Sequence, residues 1–133
     1  MPVSRPDADD SSSIAVIAES LFLINLLLLP GLGFLILLYV FWKKHKQARA
    51  VDLNHLQQTI SASLWGGFLL VVVNVLIVLF GGYQGGYTWM FVVLYFTMVH
   101  STFILLGVLG LVKALAGECW KYPLVGWRKP EDC

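Results

Sequence analysis

Between Asp52 and Lys113 the chain carries no Asp, Glu, Lys or Arg, and the same holds between Glu19 and Lys43. A soluble fold must cover its surface with polar groups and cannot leave such long stretches bare. A bilayer core of roughly 30 Å needs about 20 apolar residues per helix. The stretch after Glu19 has room for one such helix. The stretch after Asp52 has room for two, with a break between them. Of the 133 residues, 58% are hydrophobic and 13% charged, against about 25% charged in an average soluble domain. The chain is therefore expected to be all-α, an integral membrane protein with three transmembrane helices, the first kinked at Pro30.

The expected boundaries follow from punctuation. Residues 1–13 form a polar lead, and Ser13 can cap the first helix. A three-span domain covers 14–113, with spans at about 15–42, 59–80 and 89–112. As one straight helix, Ile14 to Lys44 would exceed 40 Å at about 1.5 Å per residue. Pro30, followed by Gly31 and Gly33, interrupts it and predicts a kink or a short unwound step. The loop 43–58 is the most polar internal stretch. Leu53, Leu56 and Ile60 within and just after it lie at helical spacing, which predicts a turn lying along the membrane surface. GGYQGGYT breaks the second apolar stretch, since four glycines in eight residues cannot hold a membrane helix. Residues 114–133 form a tail that hugs the interface through Trp120, Tyr122 and Trp127 with Lys121, Arg128 and Lys129.

Lys43, Lys44, Lys46 and Arg49 in the loop and Lys113, Lys121, Arg128 and Lys129 after the last span oppose Arg5 alone on the other side. This bias predicts a bacterial inner-membrane, multi-pass protein with a periplasmic N-terminus and a cytoplasmic loop and C-terminus. The first residues lack the basic region and cleavage site of a secretory signal, so the first apolar segment is expected to stay as an anchor. The net charge of +1 and the absence of a basic cluster interleaved with aromatics argue against nucleic acid. Cys119 and Cys133 fit neither a CxxC pair nor a zinc site and are expected to be unpaired thiols.

Depth counting places Asn25, Asn74 and His100 within roughly 6 Å of one level, one per span. They form a candidate intramembrane polar cluster. It can serve a ligand or a proton, or act as hydrogen-bonded glue between helices. A haem held by two histidines has no pair, because His45 and His55 belong to the loop. Gly107, Gly110, Ala114 and Gly117 form a candidate helix-packing face, where small side chains let backbones approach closely.

Two further stretches carry a resemblance. One is NHLQQTISASLW, a His-x-x-Gln step before the second span. The other is LAGECWKYPL, a Gly-x-x-aromatic-basic-Tyr-Pro-Leu step after the third. With the KKHK loop they resemble an uncharacterised family of small three-span bacterial membrane proteins distantly related to the chloroplast inner-envelope import channel. The resemblance covers about residues 20–125. It places His55, Gln58, Gly117, Tyr122, Pro123 and Leu124 on the family's positions and implies a cytoplasmic loop and tail, with no activity and no catalytic residues. Ala116 stands where the family usually has Asn, and the loop is longer and more basic. His55, Gln58, Tyr122 and Pro123 then read as a latch closing the bundle at its cytoplasmic face, or as a site for a partner or headgroup.

The chain offers no nucleophile, metal cluster or cofactor pair. It is expected to be no enzyme, to need no cofactor, and to have the lipid bilayer and other membrane subunits or further copies of itself as partners. The leading reading is a non-catalytic accessory subunit of a larger inner-membrane complex. The alternative is an oligomeric small transporter or channel, for which the break at Pro30 is a familiar device.

Overall fold

The computed structural model describes residues 6–126. Among them every regular element is a helix: α1 (Pro6–Leu27), α2 (Leu32–Lys44), α3 (Ala50–Gly67), a π-helical turn (Phe68–Val72), α4 (Val73–Gly81) and α5 (Gly86–Leu115). The α3 helix, the π turn and α4 run on as one rod of 32 residues, Ala50–Gly81. Arg5, Trp127, Arg128, Lys129 and Cys133 lie outside the described residues. The polar lead is helical from Pro6, so Ser13 does not start α1.

Two helices, not three, are long and apolar enough to cross a membrane: Ala50–Gly81 and Gly86–Leu115. The first apolar segment breaks at Pro30 into two helices instead of bending as one. Its apolar part in α1 is Ile14–Leu27, and α2 has 13 residues. At about 1.5 Å per residue each reaches about 20 Å, short of a roughly 30 Å core. The segment turns back on itself, with Gly33 of α2 against Asn25 of α1.

The reversal has local causes. Pro30 offers no amide to the helix. Gly31 takes φ 89°, in the left-handed region where a Cβ is costly. The amides that the break frees are caught by Asn25, whose Oδ1 accepts from Gly31 N at 2.8 Å and Phe34 N at 3.1 Å. In hydrocarbon such amides need a protein partner. The returning helix lies directly on the first. A Cβ on Gly33 would sit 2.8 Å from Asn25 Cβ and 2.9 Å from its Cα. Further from the tip, Ala18 and Leu37 pack together with Ile14, Leu21, Val40 and Phe41. Gly33→Val should pry the hairpin apart and cost about 1–3 kcal/mol, read as a lower melting temperature of the purified protein in detergent.

The base of the hairpin is fixed to the start of α3. Ala15 N donates to Asp52 Oδ1 at 3.1 Å, and Leu56 joins the Ala18–Leu37 cluster. The first turns of α3 thus stand in the bundle and do not lie along the membrane surface. The start of α1, the basic loop and the tail all share one end of the molecule.

At the other end only α4 and the first half of α5 remain. Thr88 Oγ1 donates to Gly81 O at 2.7 Å and Trp89 Nε1 to Tyr83 O at 2.9 Å, closing the glycine-rich turn. Leu79, Phe80, Tyr87, Phe91 and Leu94 face outward, as hydrocarbon-facing side chains do.

Candidate functional site

The first four turns of α3 are polar, and that polarity faces inward. Asp52, Asn54, His55, Gln58, Thr59, Ser61 and Ser63 are all buried. Asn54, Gln58 and Ser61 recur at helical spacing on one face, and that face grips the tail by its backbone. Trp120 N donates to Asn54 Oδ1 at 2.7 Å, Tyr122 N donates to Gln58 Oε1 at 3.2 Å, and Ser61 Oγ donates to Val125 O at 2.6 Å. An irregular segment docked on a membrane bundle needs its peptide groups satisfied, and these three side chains do that.

Beside this ladder lies the most concentrated chemistry in the molecule. Glu19 of α1, His55 of α3 and Tyr122 of the tail are each fully buried. His55 Nδ1 lies 2.6 Å from Glu19 Oε1, and Tyr122 Oη donates to Glu19 Oε2. His55 Nε2 lies 2.8 Å from the carbonyl of Glu118. A carbonyl only accepts, so Nε2 carries a proton. Two arrangements then satisfy the Glu19 contact: imidazolium donating to carboxylate, or the carboxylic acid donating to a neutral imidazole. Both leave the pair without net charge, which suits a site walled by apolar helices. Burial and the neighbouring carboxylate push the Tyr122 phenol above its ordinary value, so it stays a donor.

Gly110 makes the room for this junction. A Cβ there would lie 2.5 Å from Glu19 Oε2 and 2.6 Å from Tyr122 Oη. At Gly107 it would meet Leu23 Cδ2 at 2.6 Å and Phe22 Cε1 at 3.0 Å. Ala114 is buried as well. The small-residue face of α5 therefore packs against α1 and the tail of the same chain. Gly117 does not belong to it. With φ 70° it closes α5, with Glu118 N bonded to Lys113 O and Gly117 N to Ala114 O, both at 3.0 Å; this is the Schellman arrangement of a helix C-terminus. Pro123 is exposed and shapes the next turn, where Val125 N donates to Pro123 O at 2.7 Å. The exposed Lys113–Glu118 pair, 2.6 Å apart, holds the Glu118 carboxyl below the usual range. At the surface such a pair adds little stability.

Of the three residues counted to one depth, Asn25 and His100 border the same cavity. Asn25 caps the hairpin tip and borders a cavity that also touches His100. Asn74 borders another groove, with Val78, Trp89 and Val92. Its Nδ2 donates to Leu70 O at 2.6 Å, inside the π turn.

Glu19, Asn54 and Ser61 escaped the reading from sequence. Glu19 was legible only as the edge of a charge-free stretch, although a lone carboxylate beside a membrane segment calls for a partner. Cys119 is disulfide-bonded, contrary to the expectation of a free thiol. Spacing that rules out a redox or zinc motif does not rule out a simple bridge. Among the described residues no group of three or more His, Cys, Asp or Glu is placed to hold a metal ion.

Two long apolar helices, a hairpin that turns back and a buried polar layer at the basic end define a small helical membrane protein. A family model described as the magnetosome magnetite crystal formation protein family, MamF/MmsF, matches residues 10–128. The chain belongs to that family. This agrees with the resemblance to a small membrane-protein family, while nothing in the match links the chain to the chloroplast import channel. No match was found among curated proteins or among solved structures.

Proposed function

We propose that this protein is a non-catalytic structural subunit of a bacterial membrane assembly, one that supports magnetite crystal formation as its family's description states. The observation that carries the reading is the buried polar layer. Glu19, His55, Gln58, Ser61, Tyr122 and the Oδ1 of Asn54 hydrogen-bond one another and the tail backbone, while Asn54 Nδ2 is left without a partner. That use of polar groups builds a rigid base for two spans and offers no open site to a substrate. The apolar pair of α4 and α5 beyond the hairpin is the part left to meet lipid or another membrane subunit. The basic end, with Lys43, Lys44, Lys46, Arg49, Lys113 and Lys121, faces the cytoplasm of the inner membrane or its derivative. The latch formed by His55, Gln58 and Tyr122 is structural in this reading. A second reading, an oligomeric small transporter or channel, draws on the helix broken at Pro30.

The experiment is purification of the full chain in a gentle detergent, followed by mass spectrometry of what stays bound. Membrane proteins present in fixed ratio after washing are the expected result. A pure homo-oligomer would favour the transporter, and a washed monomer without partners would contradict both.

A further inference from the structure

Where the hairpin tip meets the two spans, the fold leaves a cavity of about 570 Å³. Three unusual features border it. Pro30 and Gly31 supply an unwound tip on one side. Gly66 and Gly67 supply a stretch of α3 without side chains, followed by Phe68, the first residue of the π turn. Such π-helical insertions recur at functional sites. The third side is α5, where the rings of Phe96 and His100 stack with centroids 5.1 Å apart and planes 14° from parallel.

Buried polar atoms without a partner occur at the basic end too, at Asp52 Oδ2, Asn54 Nδ2 and Trp120 Nε1, but here two of them belong to residues that border one cavity. His100 Nδ1 and Ser63 Oγ are buried without a hydrogen-bond partner, and both residues border the cavity. A buried polar group left unpaired in an apolar setting is costly. No Asp, Glu, Lys or Arg lines it, so a charged ligand would find no partner.

What fills the space has to meet these conditions together. A saturated lipid chain fills the volume and leaves both polar groups unpaired. A water molecule needs two to four polar partners, so the two groups would serve about one water and leave most of the volume empty. A flat conjugated ring bearing a carbonyl oxygen fits between Phe34, Phe68 and the stacked Phe96–His100 pair, and its oxygen accepts from Ser63 and His100. Its volume falls within the range of small-molecule sites. The geometry points to a binding site for an uncharged, membrane-soluble ligand of the quinone class, entered sideways from the bilayer, with Ser63 and His100 as the hydrogen-bonding pair.

The test uses the full chain in lipid nanodiscs, with decylubiquinone as the probe. Quinone retained after washing is extracted and measured by absorbance against empty discs. Retention above the empty discs should saturate near about one quinone per chain, as a single site requires. His100→Leu should weaken binding by about tenfold, the effect of one lost hydrogen bond of ordinary strength. Gly67→Phe plugs the cavity and should abolish the excess. A Cβ at Gly67 meets nothing within 4 Å, and replacing a helical glycine favours the helix. Its melting temperature without ligand should therefore not fall, which separates a blocked site from a misfolded chain. Retention equal to that of empty discs overturns the assignment. So does an excess that both variants leave unchanged, or a phospholipid seen by native mass spectrometry in the wild-type chain and lost from Gly67→Phe.

Discussion

Glu19→Leu should be the most damaging single change at the basic end, costing about 3–5 kcal/mol of stability, because it removes one partner of a buried pair and strands the other. The stranded groups are His55 Nδ1 and the Tyr122 hydroxyl, both of which meet Glu19. Helix α1 would lose its polar tie to α3 and the tail together. The effect is read from thermal melting in detergent and from the fraction of monodisperse protein on size exclusion. Tyr122→Phe should cost less, about 1.5–3 kcal/mol, since one hydrogen bond to a charged or proton-sharing group goes and its oxygen goes with it. The double variant Glu19→Leu with His55→Leu should be milder than the sum of its parts, because a buried pair replaced by apolar residues leaves no unpaired group at Nδ1. Additive losses in that cycle would mean that the two side chains act independently, contrary to the 2.6 Å contact between them.

Gly110→Leu is the second large effect expected. The first carbon of the new side chain would already overlap the junction, at 2.5 Å from Glu19 Oε2. Relief requires α1 or the tail to move off α5, which breaks the Tyr122–Glu19 contact as well as the packing. Overpacking alone costs about 1–3 kcal/mol, and loss of the buried contact adds to it, so a total of about 3 kcal/mol or more is expected. Gly67→Leu serves as the control, since that position has open space around it. Equal damage at both positions would show that the loss comes from glycine replacement in general and not from the junction.

Much of the fold was legible from residue chemistry alone. The absence of charge over Leu53–Val112 marked two apolar helices, and the glycines of GGYQGGYT marked the turn between them. The basic residues marked one end. What stayed hidden was long-range. A Pro-Gly break reads the same whether the chain kinks onward or reverses. The choice is made by what α1 packs against: Gly33 on Asn25, and Glu19 on residues 36 and 103 positions further along the chain. No local pattern encodes those pairings. The latch residues His55, Gln58, Tyr122 and Pro123 came from the family resemblance; in the structure His55 and Tyr122 meet at Glu19, Tyr122 N donates to Gln58, and Pro123 is exposed. Of the Asn25–Asn74–His100 grouping, Asn25 and His100 border one cavity and Asn74 borders another groove. The face of α5 was legible in Gly107, Gly110 and Ala114, whereas Gly117 shares their spacing but ends the helix. The π turn had no signal beyond the Gly66–Gly67 pair before it, since π-helical hydrogen bonding is set by packing and not by composition.

The reversal of the first apolar segment is the claim on which the polar layer, the quinone cavity and the orientation all rest. It is tested by protease access to tags on the first and last residues of the full chain, in inside-out and right-side-out membrane vesicles. Cleavage of both tags in inside-out vesicles and of neither in right-side-out vesicles is the predicted result. An N-terminal tag cut only from the periplasmic side, with the C-terminal tag cut only from the cytoplasmic side, would mean that the segment crosses the membrane, and Glu19 could not then meet His55 and Tyr122.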